Sequence, residues 1–190
     1  MIFKIIYQTH WNYFSFISFI VLLLKYILRN SDIIKMNISL DSIDRKILGA
    51  LQENGDLSSQ ALAEKIGLSP SPVWRRVKKL LSKGVIKGTV ALLDPEKVGL
   101  QVMAIANVSL EDHHPNSVKD FDRVVRERPE ILECYATSGQ HDYTLKVICA
   151  SIQAYDQLLS EHLMRCKAVH QVNTSFVLRN TKSTTALPLD

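Results

Sequence analysis

The sequence reads as an α+β protein in two parts, an all-helical part followed by a part that alternates strands with helices. Three observations predict this. Between residues 40 and 84, apolar residues recur at helical spacing in three short runs. From residue 101 onward, short apolar runs bounded by turn residues alternate with two helical runs. Charge divides the chain at the same place: residues 41–88 hold nine bases and five acids, net +4, and residues 89–190 hold ten and thirteen, net −3. Such asymmetry implies one half that meets a polyanion and another half with a different task. An apolar share of 46% excludes a disordered chain. Cys134, Cys149 and Cys166 are sparse and contain no CxxC, which excludes a disulfide framework and fits a reducing cytoplasm.

The first 35 residues differ from the rest. They lack Ala, Gly, Pro, Glu and Cys, and Phe, Tyr, Met, Ile, Asn and Lys supply 21 of them against 34 of the remaining 155. These six residue types use A/T-rich codons, so the segment reads as translated upstream DNA, with Met36 as the start of ordinary composition. The alternatives are a membrane-associated segment and a genuine extension. Phe14 to Leu24 is apolar apart from two serines, but Lys25 ends the run short of the roughly 20 residues a spanning helix needs.

Residues 36–88 are expected to form a three-helix unit. Leu40, Ile43, Ile47, Leu48 and Leu51 share one helical face, with Asp41 as N-cap, Asp44 in the first turn and Asn54-Gly55 as the stop. The next helix is capped by Ser58 or Ser59, buries Leu62, Ala63 and Ile66, and stops at Gly67, where a tight turn needs positive φ. Leu68 is expected to plug the core between the helices. The third helix opens with Ser71 as N-cap and Pro72 at N1, where a missing N–H costs nothing. Two short helices around a Gly67-Leu68-Ser69 turn make a helix-turn-helix, the three-helix form that is often winged.

Projected at about 100° per residue, the third helix carries Val73, Val77, Leu80 and Leu81 inward and Arg75, Lys78, Lys79 and Ser82 outward, with Arg76 and Lys83 on the flank. From Ser69 to Gly88 the chain holds no acid. A helix that reads double-stranded DNA needs this split, because phosphates supply affinity and side chains near the helix start reach base edges. The expected DNA-binding set is Ser69, Ser71, Pro72, Trp74, Arg75, Arg76, Lys78, Lys79 and Lys83. Within it Ser71, Arg75 and Lys79 are candidates for the groove, and Arg76, Lys78 and Lys83 for phosphate. Trp74 lies beside the apolar face, so core packing is its default reading and packing near the sugar-phosphate backbone the alternative. The bland reading of the whole face is a solvated Lys/Arg-rich surface.

Residues 89–101 are expected as a linker strand, centred on Val90 to Leu93, with a turn at Asp94-Pro95. Residues 102–190 are expected to form the second domain. Strands are predicted at 101–110, 131–138, 143–149 and 170–178. Helices are predicted at 115–128, with Val118, Phe121, Val124 and Val125 inward, and at 151–165, with Ile152, Tyr155, Leu158, Leu159 and Leu163 inward. The order β-α-β-β-α-β is that of a ferredoxin-like split βαβ. Its helices cover one sheet face, so the other is expected to meet a second copy.

Over residues 38–190 the sequence resembles the Lrp/AsnC family of feast/famine transcriptional regulators. The resemblance rests on "LDSIDRKILGALQENGDLSSQALAEKIGLSPSPVWRRVKKLLSKGVIKG", "LDPEKVGL", "ILECYATSGQHDYTLKV" and "FVLRNTKSTTALPL". It implies a DNA-binding regulator that is not an enzyme, has no catalytic residue, metal or cofactor, assembles as a homodimer and often an octamer, and responds to a small effector, usually an amino acid. It also implies that the second domain is the effector-sensing RAM domain, with the linker strand helping to build the dimer. The effector site is implied at the turn Ser138, Gly139, Gln140, His141, Asp142 and Tyr143, with Asp142 holding an α-ammonium group and amides around Gly139 taking a carboxylate. As a turn residue Asp142 could instead cap backbone amides. Family members commonly carry Pro-Gly before the last strand; here the segment reads Arg165-Cys166-Lys167-Ala168-Val169, which bears on that turn and the pocket.

Other constellations weigh less. His113-His114 reads as a solvated turn. His162 and Cys166 stand four apart on a helix, a spacing that suits a metal, but no second pair accompanies them. His141-Asp142 has no nucleophile motif beside it. Three further functions stay open: an architectural DNA-wrapping protein, a regulator tethered to a membrane by residues 1–35, and a small enzyme on the second domain.

Overall fold

The computed structural model describes residues 39–189; the segment 1–35 discussed above lies outside them. The described residues divide into two compact units, one built from 39–90 together with 185–189, the other from Ala91–Thr184.

The first unit holds three helices, α1 (Ser42–Glu53), α2 (Ser59–Ile66) and α3 (Pro70–Ser82). A capping box starts α1: Asp41 Oδ1 accepts the Asp44 N–H at 2.8 Å, and Asp44 Oδ2 accepts the Asp41 N–H at 3.4 Å. Ser58 Oγ caps α2 by accepting the Ala61 N–H at 3.1 Å. Gly67 ends α2 at φ 74°, a left-handed conformation that a residue with a Cβ enters only with strain. Ile47, Leu62, Ala63, Val73 and Leu80 form the buried centre of the unit.

Several expectations change here. Helix α3 starts two residues early, with Ser69 as N-cap, Pro70 at N1 and Ser71 already helical. Both prolines fit, because the first-turn amides of a helix have no intrahelical acceptor and so lose nothing. Leu68 and Leu81 are exposed instead of filling the core. The core is closed by Val85 and Ile86 instead, whose amides turn back to the Leu80 carbonyl at 3.0 and 3.3 Å.

The chain's far end completes this unit. Gln52 holds residue 187 through both amide atoms: its Nε2 donates to the Leu187 carbonyl at 3.0 Å and its Oε1 accepts the Leu187 N–H at 2.7 Å. Arg45 donates to the Leu189 carbonyl at 2.9 Å, and the Leu189 side chain packs against the helical core.

The second unit is a four-stranded sheet of β1 (Val102–Leu110), β2 (Ile131–Ala136), β3 (Tyr143–Cys149) and β4 (Val169–Phe176), in the order β2-β3-β1-β4. All three pairings are antiparallel. Helix α4 (Pro115–Glu127) joins β1 to β2, and α5 (Ile152–Leu158) joins β3 to β4. The order is the ferredoxin-like one. Alternation along β1 buries Ala104, Ala106, Val108 and Leu110, which pack with Phe121 of α4 and with Tyr155 and Leu158 of α5. Burying Phe121 completely contributes about 1.5–3 kcal/mol. The opposite face is more polar: Thr144 donates to Asn107 at 2.9 Å, and Lys146 pairs with Glu133 at 3.0 Å.

Three further expectations change. The helix predicted over 151–165 is α only to Leu158 and continues as a π-turn over Leu159–Leu163, with Ile152 exposed at its start. The segment before β4 turns without Pro-Gly: the Val169 N–H bonds the Cys166 carbonyl at 2.9 Å, and among the described residues no non-glycine has positive φ. Residues 89–101 form no strand and contain one 3-10 turn, Glu96–Val98. A strand exists through a hydrogen-bonded neighbour, and this single chain offers none there. Val90, Leu92 and Leu93 are largely exposed as a result.

Candidate nucleic-acid interface and effector turn

Helix α3 presents its polar face to solvent. Val73 and Leu80 anchor it in the core, and this fixes the rotation that exposes Ser71, Arg75, Lys78, Lys79 and Lys83. Ser69 is exposed at the N-cap, and Pro72 sits half-buried in the first turn. Among the described residues Arg75, Lys79 and Lys83 have no acidic partner. Trp74 departs from its default reading. It is half exposed, and Lys78 Nζ sits 4.2 Å from its ring centroid in a cation–π contact. A flat ring and an ammonium thus stand together on the surface beside Arg75.

Arg76 also departs from expectation. Its Nη1 donates to Asp41 Oδ2 at 2.6 Å and to Asp44 Oδ1 at 2.7 Å. The two carboxylates that cap α1 therefore also fix α3, and the Arg76 charge is spent inside the protein. The Asp44 amide and then the Arg76 guanidinium hold the Asp41 carboxyl below its ordinary range, and Asp41 and Asp44 raise Arg76 in turn. Sequence projection placed Arg76 on the flank of the helix. Only the structure shows that the caps of α1 come within reach across 32 and 35 residues.

The second candidate site is the β2–β3 turn. Ser138, Gly139 and Gln140 are exposed at its tip. Gly139 has φ 154°, which L side chains rarely adopt, and a Cβ built there would meet nothing within 4 Å. The backbone there lies open to approach. The base of the turn is tied: the Thr137 N–H donates to the Asp142 carbonyl at 2.9 Å, and Thr137 Oγ1 donates to the His141 carbonyl at 2.9 Å. His141 Nδ1 lies 3.3 Å from Ser109 Oγ on β1. Tyr143 stands apart from the other five. Its ring packs tilted against Phe121 at 4.6 Å between centroids, in the helix-side core, and burial lifts its phenol above the ordinary range.

Asp142 is the anchor of the turn. Its amide donates to the Val108 carbonyl at 3.0 Å, and its Oδ2 accepts the Leu110 N–H at 2.8 Å. It does cap a backbone amide, but one on β1 rather than in its own turn. Its Oδ1 lies 2.7 Å from His113 Nε2. The pair His113-His114 lies in an exposed loop, as expected, but both imidazoles are engaged: His113 reaches Asp142, and His114 Nδ1 accepts the Asn116 N–H at 3.3 Å to cap α4. A histidine just after an apolar strand and just before a helix-starting proline was the available signal for the cap. Nothing in the sequence pointed His113 at a residue 29 positions away.

His162 Nε2 lies 3.0 Å from Arg128 Nη1. An arginine has no acceptor, so this imidazole nitrogen accepts. Burial, with the charge of Asp122 adding to it, pushes the Cys134 thiol up to about 11. Among the described residues no helix is long and apolar enough to cross a membrane.

Two family models match. A winged helix-turn-helix DNA-binding model covers residues 40–87, and an Lrp/AsnC ligand-binding-domain model covers residues 103–187. The chain is 38% identical over 151 residues to the DNA-binding transcriptional activator DecR of Escherichia coli, covering 80% of this chain and 99% of the relative. It is 39% identical over 155 residues to the leucine-responsive regulatory protein of Haemophilus influenzae, covering 82% and 93%. A transcriptional regulator of Neisseria meningitidis, solved as its complex with L-methionine, superposes with a TM-score of 0.78 at 39% identity, covering 80% of this chain and 98% of the other.

Proposed function

The chain belongs to the Lrp/AsnC family of DNA-binding transcriptional regulators, and from that premise we propose how its own residues do the work. The exposed half of α3 enters the major groove. Ser71 and Arg75, near the helix start, reach base edges together with Lys79, one turn further on. Lys78 and Lys83 meet phosphates, and Trp74 packs against the sugar-phosphate backbone with Lys78 over its ring. The observation that carries this is the contrast between neighbours: Arg76 is neutralised by Asp41 and Asp44, while Arg75, Lys79 and Lys83 face solvent with no acid beside them. Cations left unpaired on one face are suited to releasing the counterions of a polyanion.

The protein acts as a homodimer or a larger assembly in the cytoplasm. Support comes from the exposed Val90, Leu92 and Leu93, which lack a strand neighbour that a second copy would supply. The effector is an amino acid bound at Ser138–Asp142, with Asp142 on its ammonium group and amides around Gly139 on its carboxylate. The Neisseria regulator's L-methionine complex supports the ligand class. Tyr143 serves the fold rather than the ligand.

Selection of duplexes from a random DNA pool, followed by footprinting, tests the reading. A discrete motif, whose affinity falls in Arg75→Ala, supports it. Long periodic protection with no motif supports the DNA-wrapping alternative instead.

A further inference from the structure

Asp142 is already occupied. In the proposed effector site its carboxylate is the group that meets an ammonium, yet both of its oxygens have donors in the chain itself. Oδ2 is committed to the Leu110 N–H at 2.8 Å, a main-chain bond between the turn and β1. Oδ1 is met by His113 Nε2 at 2.7 Å. A carboxylate only accepts, so His113 must present an Nε2–H there in either charge state.

The two contacts differ in what it takes to break them. Leu110 closes β1, where it pairs with Val169 of β4 and the next amide, Glu111, is bonded to the Ala168 carbonyl, so the main chain holds its amide in place. The His113 side chain is 62% exposed, while that of Asp142 is 27% exposed. The imidazole thus lies on the solvent side of the carboxylate and can swing away by side-chain rotation alone. The backbone around it is held: the Glu111 N–H bonds the Ala168 carbonyl at 2.8 Å, the His114 N–H bonds Asp112 Oδ1 at 2.8 Å, and His114 caps α4. Ser117 and then the His114 amide keep the Asp112 carboxyl below its ordinary range, which maintains that anchor.

We infer that His113 occupies the position of the effector's α-ammonium group on Asp142, so that an amino acid binds by displacing the imidazole. This rests on the proposed effector reading and adds a specificity element to it. A ligand without a cationic amine gains nothing at Oδ1 to offset the lost imidazole contact, so hydroxy-acid and keto-acid analogues of the effector are rejected.

The test is calorimetric titration of the full chain with the one of the twenty common L-amino acids that raises its melting temperature most. Removing an exposed competitor of this kind tightens binding about fivefold in His113→Ala. In an Asp142→Asn background the same substitution has no effect, because the shared carboxylate is gone. Asn keeps an oxygen for the Leu110 amide, and ligand-free melting of each variant checks its fold. Unchanged or weaker binding in His113→Ala, with binding lost in Asp142→Asn, overturns displacement and leaves the effector reading standing. Unchanged binding in both variants, or no thermal shift with any of the twenty, overturns the effector reading and the inference together.

Discussion

The outer face of α3 and the β2–β3 turn solve opposite problems. On α3 the cations Arg75, Lys79 and Lys83 have no acidic partner among the described residues, and the surface is poised for a partner that brings its own charge. At the turn Asp142 has donors on both carboxylate oxygens before any ligand arrives. The first arrangement makes affinity for a polyanion high and sensitive to salt. On the proposed effector reading, the second makes a small ligand compete with the protein, which lowers affinity and sharpens the requirement for a matching group.

That contrast can be broken most severely by salt. If Lys78 and Lys83 of each of two subunits meet phosphate, as proposed, DNA affinity should fall by about 10² between 50 and 200 mM salt. Effector affinity, measured by calorimetry over the same range, should move far less. A shallow salt slope for DNA would mean the α3 face is a solvated surface only.

Adjacent arginines sharpen the comparison next. Arg75→Ala should cost about 1–3 kcal/mol of specific DNA binding, read by fluorescence anisotropy, with the melting temperature unchanged. Arg76→Ala should do the reverse, lowering the melting temperature because Asp41 and Asp44 lose their shared partner. Equal effects of both on DNA would place Arg76 on phosphate after all.

A smaller effect tests whether the helical unit depends on its caps. Ser58→Ala should destabilise it by about 1 kcal/mol in denaturant melts, through loss of the bond to the Ala61 amide.

The smallest effect is in acid. The Asp41 pKa is lowered on folding, so its contribution is fully present above the unfolded value of 3.8 and is lost as pH falls through the folded value. A melting-temperature profile from pH 6 to pH 2.5 should therefore show a decline below about pH 4 that is blunted in Asp41→Asn.

Much of this was legible in the sequence, and the exceptions share a cause. Periodicity placed all three helices of the first unit and the β-α-β-β-α-β order of the second, and Asp41, Ser58 and Gly67 do what their chemistry suggested. Periodicity gives the angle of a side chain about its own axis. It does not say how far neighbouring elements extend to cover it, so Leu68, Leu81, Trp74 and Ile152 are more exposed than their positions implied. The partners of Arg76 and His113 were not legible for a related reason. Each is a carboxylate about 30 residues away, brought near only by folding. The start of α3 was ambiguous because Pro70 and Pro72 are equally at home in a first turn.

The clasp of Gln52 and Arg45 on residues 187 and 189 has a consequence for biosynthesis. The three helices are synthesised before the sheet unit, and Leu187 and Leu189, which complete their packing, after it. Domains generally fold in order of synthesis. Here the helical bundle keeps the Leu189 berth on its core unfilled until the whole sheet unit has been synthesised. The final packing of the DNA-binding unit is thereby coupled to the making of the second unit.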